Sequence, residues 1–421
     1  MKEARFTPAL FAHAEALVGQ LLRFNFPADA VVSRYFRDHR ELGHADRAFV
    51  AETVFAVLRR GRSLEARCAG QLSDRRVLLV ALAVTRGWSK RELAPVLKPS
   101  EEEWLAAAKA MRDEDLPPAV RCDMPDWLYA ALEVQFGAEE VIKLAHSLNQ
   151  PAPLDLRVNT LKTHREAVLE QLAAEGIAAI PGPLSPTAVR LREKPALAKH
   201  PLFLEGAFEV QDEGSQLLGY LLEPKRGELV VDFCAGAGGK TLLLGALMKN
   251  TGRLYAYDVS DKRLAKLKPR LARSGLSNVH PARIEHERDT KIKRLSGKAD
   301  RVLVDAPCSG LGTLRRNPDL KWRQSEASIA ELTVKQASIL ASAAKMVRPG
   351  GRLVYATCSL LTAENDAIID AFLAEHPEFS LTSAEAVLAK QGIKVTGERL
   401  RLLPQQHGTD GFFAAVLDRK S

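Results

Sequence analysis

A chain of 421 residues that is 46% apolar can bury two or three cores, so two to three domains are expected and disorder is excluded. Its formal charge of +8 favours a polyanionic partner, although a mildly basic surface is also common in proteins that bind no nucleic acid. No segment stays apolar for the roughly 18 residues a membrane span needs, and charges scattered through residues 1–19 leave no apolar leader core. Five cysteines, at 68, 122, 234, 308 and 358, form no CxxC pair, which argues against a disulfide framework and a zinc site; free thiols in a cytoplasmic protein are expected, with no metal.

To about residue 115 the apolar residues recur at helical spacing, as in Leu10-Phe11-Ala14-Leu17-Val18-Leu21-Leu22 and Phe49-Val50-Val54-Val57-Leu58. Ser89-Lys-Arg-Glu92 and Ser100-Glu-Glu-Glu103 have the capping-box form. The pattern predicts an all-helical domain over residues 1–120. Its arginines (47, 59, 60, 62, 75, 76) could hold RNA phosphates, but local ion pairs and a solvated face are the default. Cys68 and Cys122 read as packing groups.

The helical pattern breaks at Leu116-Pro117-Pro118, and a linking helix is expected over about 125–148. Leu154 to Asn159 alternates as a half-buried strand, Thr163-His-Arg-Glu166 opens a helix, and Thr187 to Leu191 reads as another strand. Residues 121–204 are therefore read as the linking helix and a small α/β domain.

From 205 to 421, strands near 229–233, 253–257, 279–283, 301–305 and 352–356 alternate with helical runs, the pattern of a doubly wound parallel sheet. Strands near 400–403 and 412–417 are expected to close it as an antiparallel edge. The first strand runs into Cys234-Ala-Gly-Ala-Gly-Gly-Lys240, a loop that lets backbone pass close to a nucleotide-like ligand. A phosphate-binding loop would need glycine where Cys234 stands, and a dinucleotide fingerprint would need its third glycine at Thr241. The second strand ends at Asp258, placed to accept hydrogen bonds from both ribose hydroxyls of an adenosine. Loop and acid together fit S-adenosylmethionine.

Ligands in such sheets lie beyond the carboxyl ends of the strands, and there stand Asp305-Ala-Pro-Cys308 and Thr357-Cys358-Ser359. A single buried cysteine is usually inert packing. Two at corresponding strand ends, one three residues after a carboxylate, suit a particular reaction: a thiolate added to carbon 6 of a pyrimidine makes carbon 5 nucleophilic toward a methyl sulfonium. A carboxylic acid at the ring nitrogen would stabilise the adduct, and a base must then remove the carbon 5 proton.

DFCAGAGGKT (232–241), DAPCSGLGTLRRNPDLKW (305–322), TCS (357–359) with Glu364-Asn365, and HGTDGFFAA (407–415) resemble the Nop/Sun family of RNA cytosine-5 methyltransferases. Leu156 to Lys162, Phe203 to Gly206, Val210 to Asp212 and Ser215 are similar to the family's region before the catalytic domain, and Asp46-Arg-Ala-Phe with VFAVLRR (54–60) to the NusB-like helical domain of its bacterial branch. The resemblance implies a Rossmann-like class I S-adenosylmethionine-dependent domain with a seven-stranded, mostly parallel sheet, behind a small α/β domain and a NusB-like helical domain that binds RNA. It implies that Cys358 attacks cytosine, that Cys308 assists the later steps, that Asp305 faces base and cofactor, and that Cys234, Ala235, Gly236, Ala237, Gly238, Gly239, Lys240 and Asp258 hold S-adenosylmethionine. Two departures stand out: the family's CAAPGGK is Cys234-Ala-Gly-Ala-Gly-Gly-Lys240 here, and Glu285 occupies the region where an aspartate usually meets the adenine. The implied substrate is a single-stranded or flipped-out cytidine, foremost in small-subunit (16S) ribosomal RNA, and the implied state a monomer. Arg315, Arg316, Lys321, Arg323, Arg157 and Lys162 fit an RNA path as well as they fit surface ion pairs. Transfer RNA as substrate, and a non-catalytic RNA-binding assembly factor, are the competing readings.

Overall fold

The computed structural model describes residues 6–421, so the first five residues of the expected helical domain lie outside the described residues. Contacts divide the chain into two compact units, Met1–Pro151 with Thr313–Glu326, and Ala152–Gly312 with Ala327–Ser421.

The first unit is helical. Thr7 caps Pro8–Leu21 by accepting from the Leu10 amide at 3.2 Å, and Ser89 with Glu92 makes the expected capping box. Leu10, Phe11, Ala14, Leu17, Val18 and Leu21 share a core with Phe49, Val50, Val54, Val57 and Leu58, the residues that carried the helical spacing. The box expected at Ser100 forms instead between Lys98 and Glu101, three residues apart and two residues earlier. The single linking helix is two, Asp126–Phe136 and Ala138–Leu148, because Gly137 adopts φ +81, which interrupts the helical ladder. Most of the arginines singled out above meet local partners: Arg60 reaches Asp113 and Asp123, Arg62 Asp126, and Arg75 Glu101, while Arg76 lies over Trp104. Lys321 is buried in this unit, donating to the Arg59 carbonyl at 2.7 Å and to Asn149 Oδ1 at 3.1 Å, and burial pulls its ammonium down to about 8.

The second unit contains two sheets. The small one orders its strands β2 (Ala179–Pro181), β3 (Ala188–Leu191), β1 (Leu154–Val158) and β4 (Phe208–Val210), all antiparallel. Its helix Arg165–Ala174 is capped at His164 without the expected side-chain bond from Thr163. The large sheet runs β10 (Phe379–Thr382), β12 (Phe412–Arg419), β9 (Val347–Thr357), β8 (Ala299–Asp305), β5 (Leu229–Asp232), β6 (Arg253–Asp258) and β7 (Val279–Arg283), with β11 (Leu400–Leu402) attached to β12 off that path. Strands β7, β6, β5, β8 and β9 are parallel, and β12 is antiparallel to both its neighbours, β9 and β10. The hydrogen-bonded path therefore has seven strands, but its edge is β10, a four-residue segment whose alternation is too brief to stand out, and β11 is the eighth strand. The helix Glu213–Leu222, buried along its whole length, carries Leu217, Leu218, Leu221 and Leu222 into the core that lines one face of the large sheet. The chain proceeds outward from β5 through β6 to β7 and then returns to β8, so the strand order reverses between β5 and β8. Crevices in doubly wound sheets open at such a point.

Candidate active site

At the carboxyl ends of β5, β6 and β8 a cavity of about 740 Å³ opens, lined by residues from every segment that follows a parallel strand. Among them are Cys234, Ala235, Gly236, Ala237, Gly239, Lys240, Asp258, Glu285, Asp305, Cys308 and Cys358. Gly238 stands behind this wall: its φ is +84, it caps the helix Gly239–Leu247, and a Cβ there would come within 2.1 Å of Leu267 Cδ1. Gly236, at φ +57, faces open space, with no atom of the described residues within 4 Å of where a Cβ would stand.

The loop is held from both sides by its own backbone and by distant charges. The Ala235 amide donates to the Tyr257 carbonyl at 2.9 Å, and the Gly236 amide to Asp258 Oδ2 at 2.9 Å. Arg270 donates to the Ala237 carbonyl at 2.7 Å, and Arg157 to the Gly239 carbonyl and to Gln211. Arg157 thus lies buried behind the loop, its guanidinium brought down to about 10 by burial, and offers nothing to an RNA backbone; the same holds for Lys321. Lys162 is exposed, and its Nζ donates to the Glu205 carbonyl at 2.5 Å.

Asp258 is buried, accepting from the Ser260 amide at 2.8 Å and pairing with Arg263 at 3.1 Å. A carboxylate has about four lone-pair sites, so with three protein partners it retains capacity for a ligand hydroxyl. Asp232 ends β5 wholly buried; Oδ2 accepts from Thr241 Oγ1 at 2.6 Å, Oδ1 is without a protein partner among the described residues, and burial raises its carboxyl to about 7. Glu285 is exposed on the cavity wall, with its amide held by Asp289 at 2.9 Å. Glu287 also lines the wall and accepts from Ser338 at 2.7 Å.

On the opposite side, Lys240 Nζ meets Asp305 Oδ2 at 2.7 Å. Burial works to lower the Lys240 ammonium, but the charge and hydrogen bond of Asp305 outweigh it and hold it above its ordinary value. Cys308 and Cys358 are free thiols whose sulfurs approach to 3.4 Å. The hydrogen bond to Cys358 raises the Cys308 thiol well above its ordinary pKa, with burial adding to the effect. Sequence reasoning named Glu364 only as part of a motif and missed Gln336, yet both sit directly behind the cysteines. Glu364 is wholly buried and accepts from the Ser309 amide at 2.8 Å, Ser309 Oγ at 2.6 Å, Gln336 Nε2 at 2.9 Å and Ser359 Oγ. The position of Glu364 five residues after Ser359 is the one signal that pointed to it; nothing in the helix Glu326–Ala344 marks Gln336.

A reversed-order parallel sheet whose crevice joins a glycine loop, an acid ending its second strand and two thiols beyond its fourth and fifth is the arrangement of a Rossmann-like methyltransferase. The profile of the 16S rRNA methyltransferase RsmB/F family matches residues 219–418, and that of an RsmF/B-like ferredoxin-like domain matches residues 124–198. The probable ribosomal RNA small subunit methyltransferase B of Synechocystis sp. is 34% identical over 432 aligned positions, covering 93% of this chain and 95% of that relative. The corresponding probable enzyme of Bacillus subtilis is 36% identical over 333 positions, covering 77% of this chain and 73% of its own length. The crystal structure of the protein PH0851 superposes with a TM-score of 0.78 at 28% identity, over 99% of this chain and 100% of that one. The chain belongs to the 16S rRNA methyltransferase RsmB/F family.

Proposed function

We propose that this protein transfers the methyl group of S-adenosylmethionine to carbon 5 of a cytidine in small-subunit ribosomal RNA, by covalent catalysis from Cys358. The observation that carries the reading is the pair of sulfurs 3.4 Å apart on the wall of a cavity that also holds the Lys240 and Asp305 pair. The cofactor supplies an electrophilic methyl when bound. The residues suit it: Gly236 leaves backbone space, Asp258 retains capacity for a ribose hydroxyl, and Asp232 Oδ1 can accept a further hydrogen bond. Glu285 is proposed on the adenine side of the wall.

In the reaction, Cys358 Sγ bonds to carbon 6 and the displaced electron pair moves to carbon 5, which takes the methyl group. Lys240 fixes Asp305 through Oδ2, which leaves Oδ1 to accept from the exocyclic amine and so to hold the base in register with the thiols. A solvent water then takes the carbon 5 proton, the electron pair of that C–H bond forms the carbon 5–carbon 6 double bond, and the carbon–sulfur bond breaks with its pair going to Cys358 Sγ. Cys308, held protonated beside Cys358, is placed to return a proton to the leaving sulfur. Because a base stacked in a duplex cannot reach the sulfur, the cytidine is single-stranded or flipped out. The helical unit is proposed to hold the RNA, and the enzyme to act as a cytoplasmic monomer.

Bisulfite sequencing of ribosomal and transfer RNA from a strain lacking the gene tests the reading, together with methylation of purified 16S RNA by the protein. Loss of one 5-methylcytidine in 16S RNA, restored by the purified enzyme, is expected. A lost site in transfer RNA instead would move the substrate, and cofactor binding without methyl transfer to any RNA would leave a non-catalytic assembly factor.

A further inference from the structure

We propose that Glu364 is a positioning residue for methyl transfer: it clamps the Cys308 and Cys358 loops to one buried carboxylate and thereby gives the two thiols different tasks. The proposal rests on the thiolate reading above. Each cysteine is followed by a serine, and both serines hydrogen-bond to the same carboxylate. The bond from the Ser309 amide, at 2.8 Å, ties the backbone next to Cys308 to Glu364 as well. Gln336 joins them from a third element, donating to Glu364 Oε1 at 2.9 Å and to the Pro307 carbonyl at 3.0 Å, one residue before Cys308. The remainder of the Glu364 segment is fixed too, for Tyr355 OH donates to its carbonyl at 2.7 Å, and Asn365 Oδ1 accepts from Thr357 Oγ1 at 2.6 Å.

Every side-chain contact to Glu364 is a donor, so four hydrogen bonds occupy a carboxylate that is fully removed from water. Such a network has one low-energy arrangement, and the spacing of the two sulfurs follows from it. The network is also asymmetric. Cys308 is hydrogen-bonded to Cys358, is half-buried, and faces the charges of Cys358 and Glu364, all of which raise its pKa. The clamp therefore both sets the sulfur separation and leaves attack to Cys358.

The test reads the thiols directly. The full-length protein and its Glu364→Gln variant are treated briefly with iodoacetamide at pH 8, and the alkylated peptides are quantified by mass spectrometry. The carboxamide keeps the volume but turns an N–H₂ toward donors, so the preference for alkylation at Cys358 over Cys308 should fall at least threefold. In the same variant kcat for RNA methylation should fall about thirtyfold, with the dissociation constant for S-adenosylmethionine unchanged. Ser309→Ala and Ser359→Ala each remove part of the clamp and should give intermediate ratios; their double variant carries the test if Glu364→Gln does not fold. A wild-type alkylation ratio and wild-type kcat in a folded Glu364→Gln variant, or an unchanged ratio in the double serine variant, would overturn the proposal. If the wild-type protein methylates no RNA, the functional reading fails while the alkylation ratio still judges the clamp.

Discussion

The two sides of the cavity are made of different material. On the β5 and β6 side the wall is mainly backbone: Gly236 and Gly238 take left-handed conformations, and amides donate to Asp258 and to the Tyr257 carbonyl. On the β8 and β9 side it is side chain: two thiols, the Lys240 and Asp305 pair, and a buried carboxylate behind them. A backbone wall recognises a ligand by shape and tolerates little added bulk, whereas a side-chain wall performs chemistry and fails when one atom is removed. The first is read from glycine spacing. The second depends on contacts between residues far apart in the chain.

The sharpest break is expected on the thiol side. Cys358→Ala should reduce methyl transfer on the order of 10⁴-fold and form no protein–RNA adduct, while Cys308→Ala should complete transfer and accumulate an adduct that survives denaturing electrophoresis. The reverse pattern would assign attack to Cys308. On the backbone side, Gly238→Ala should cost about 1–3 kcal/mol of stability and weaken cofactor binding, since a left-handed φ and the Leu267 side chain both oppose a Cβ. Gly239→Ala, whose nearest neighbour would be Gln211 Nε2 at 3.7 Å, should be close to neutral in thermal melts. Equal effects at the two glycines would contradict the described loop.

Asp258 joins the two kinds of wall, being a side chain that serves a backbone loop. Asp258→Ala should raise the dissociation constant for S-adenosylmethionine about tenfold in a folded protein. Unchanged affinity by calorimetry would remove Asp258 from the site. Asp232 sharpens the contrast through pH. Its carboxyl keeps a proton in the fold up to about 7 but loses it near 3.8 when unfolded, so between these values the unfolded chain binds fewer protons. Stability contributed by Asp232 therefore falls as pH rises from about 4 to about 7 and stays lost above. Asp232→Asn cannot titrate, and its melting temperature relative to wild type should improve by a few degrees between pH 5 and pH 8. A difference that does not change with pH would show that Asp232 is ionised in the fold. The smallest effect is expected at Lys162: its alanine variant should lower the salt slope of RNA binding by roughly 0.7–0.9 and leave cofactor affinity alone, if it meets a phosphate. An identical slope would leave Lys162 to its Glu205 carbonyl.

The parallel strands, the loop Cys234–Lys240, Asp258, Asp305 and both thiols were legible because each lies within a few residues of a strand end, and strand ends share one edge of the sheet. Arg157 and Lys321 were read as RNA contacts or surface ion pairs because charge suggests exposure, but neighbouring carbonyls and amide oxygens accept from them inside the protein. Gln336 could not be found from sequence, since its partner Glu364 is 28 residues away and only the fold brings them together. The split at Gly137 was missed because apolar periodicity continues on both sides of it.

The segment Thr313–Glu326 folds with the helical unit although the residues before and after it belong to the sheet unit. Within that unit Trp322 Nε1 donates to the Leu58 carbonyl at 2.9 Å, and Asp319 Oδ2 accepts from the Ala28 amide at 3.2 Å. The helical unit is therefore not a cassette. A chimera that replaces only the N-terminal residues with those of a relative gives the indole and the buried ammonium of Lys321 a foreign host, while one that carries Thr313–Glu326 along keeps these contacts with their own partners. The stretch that has to travel begins five residues after Cys308.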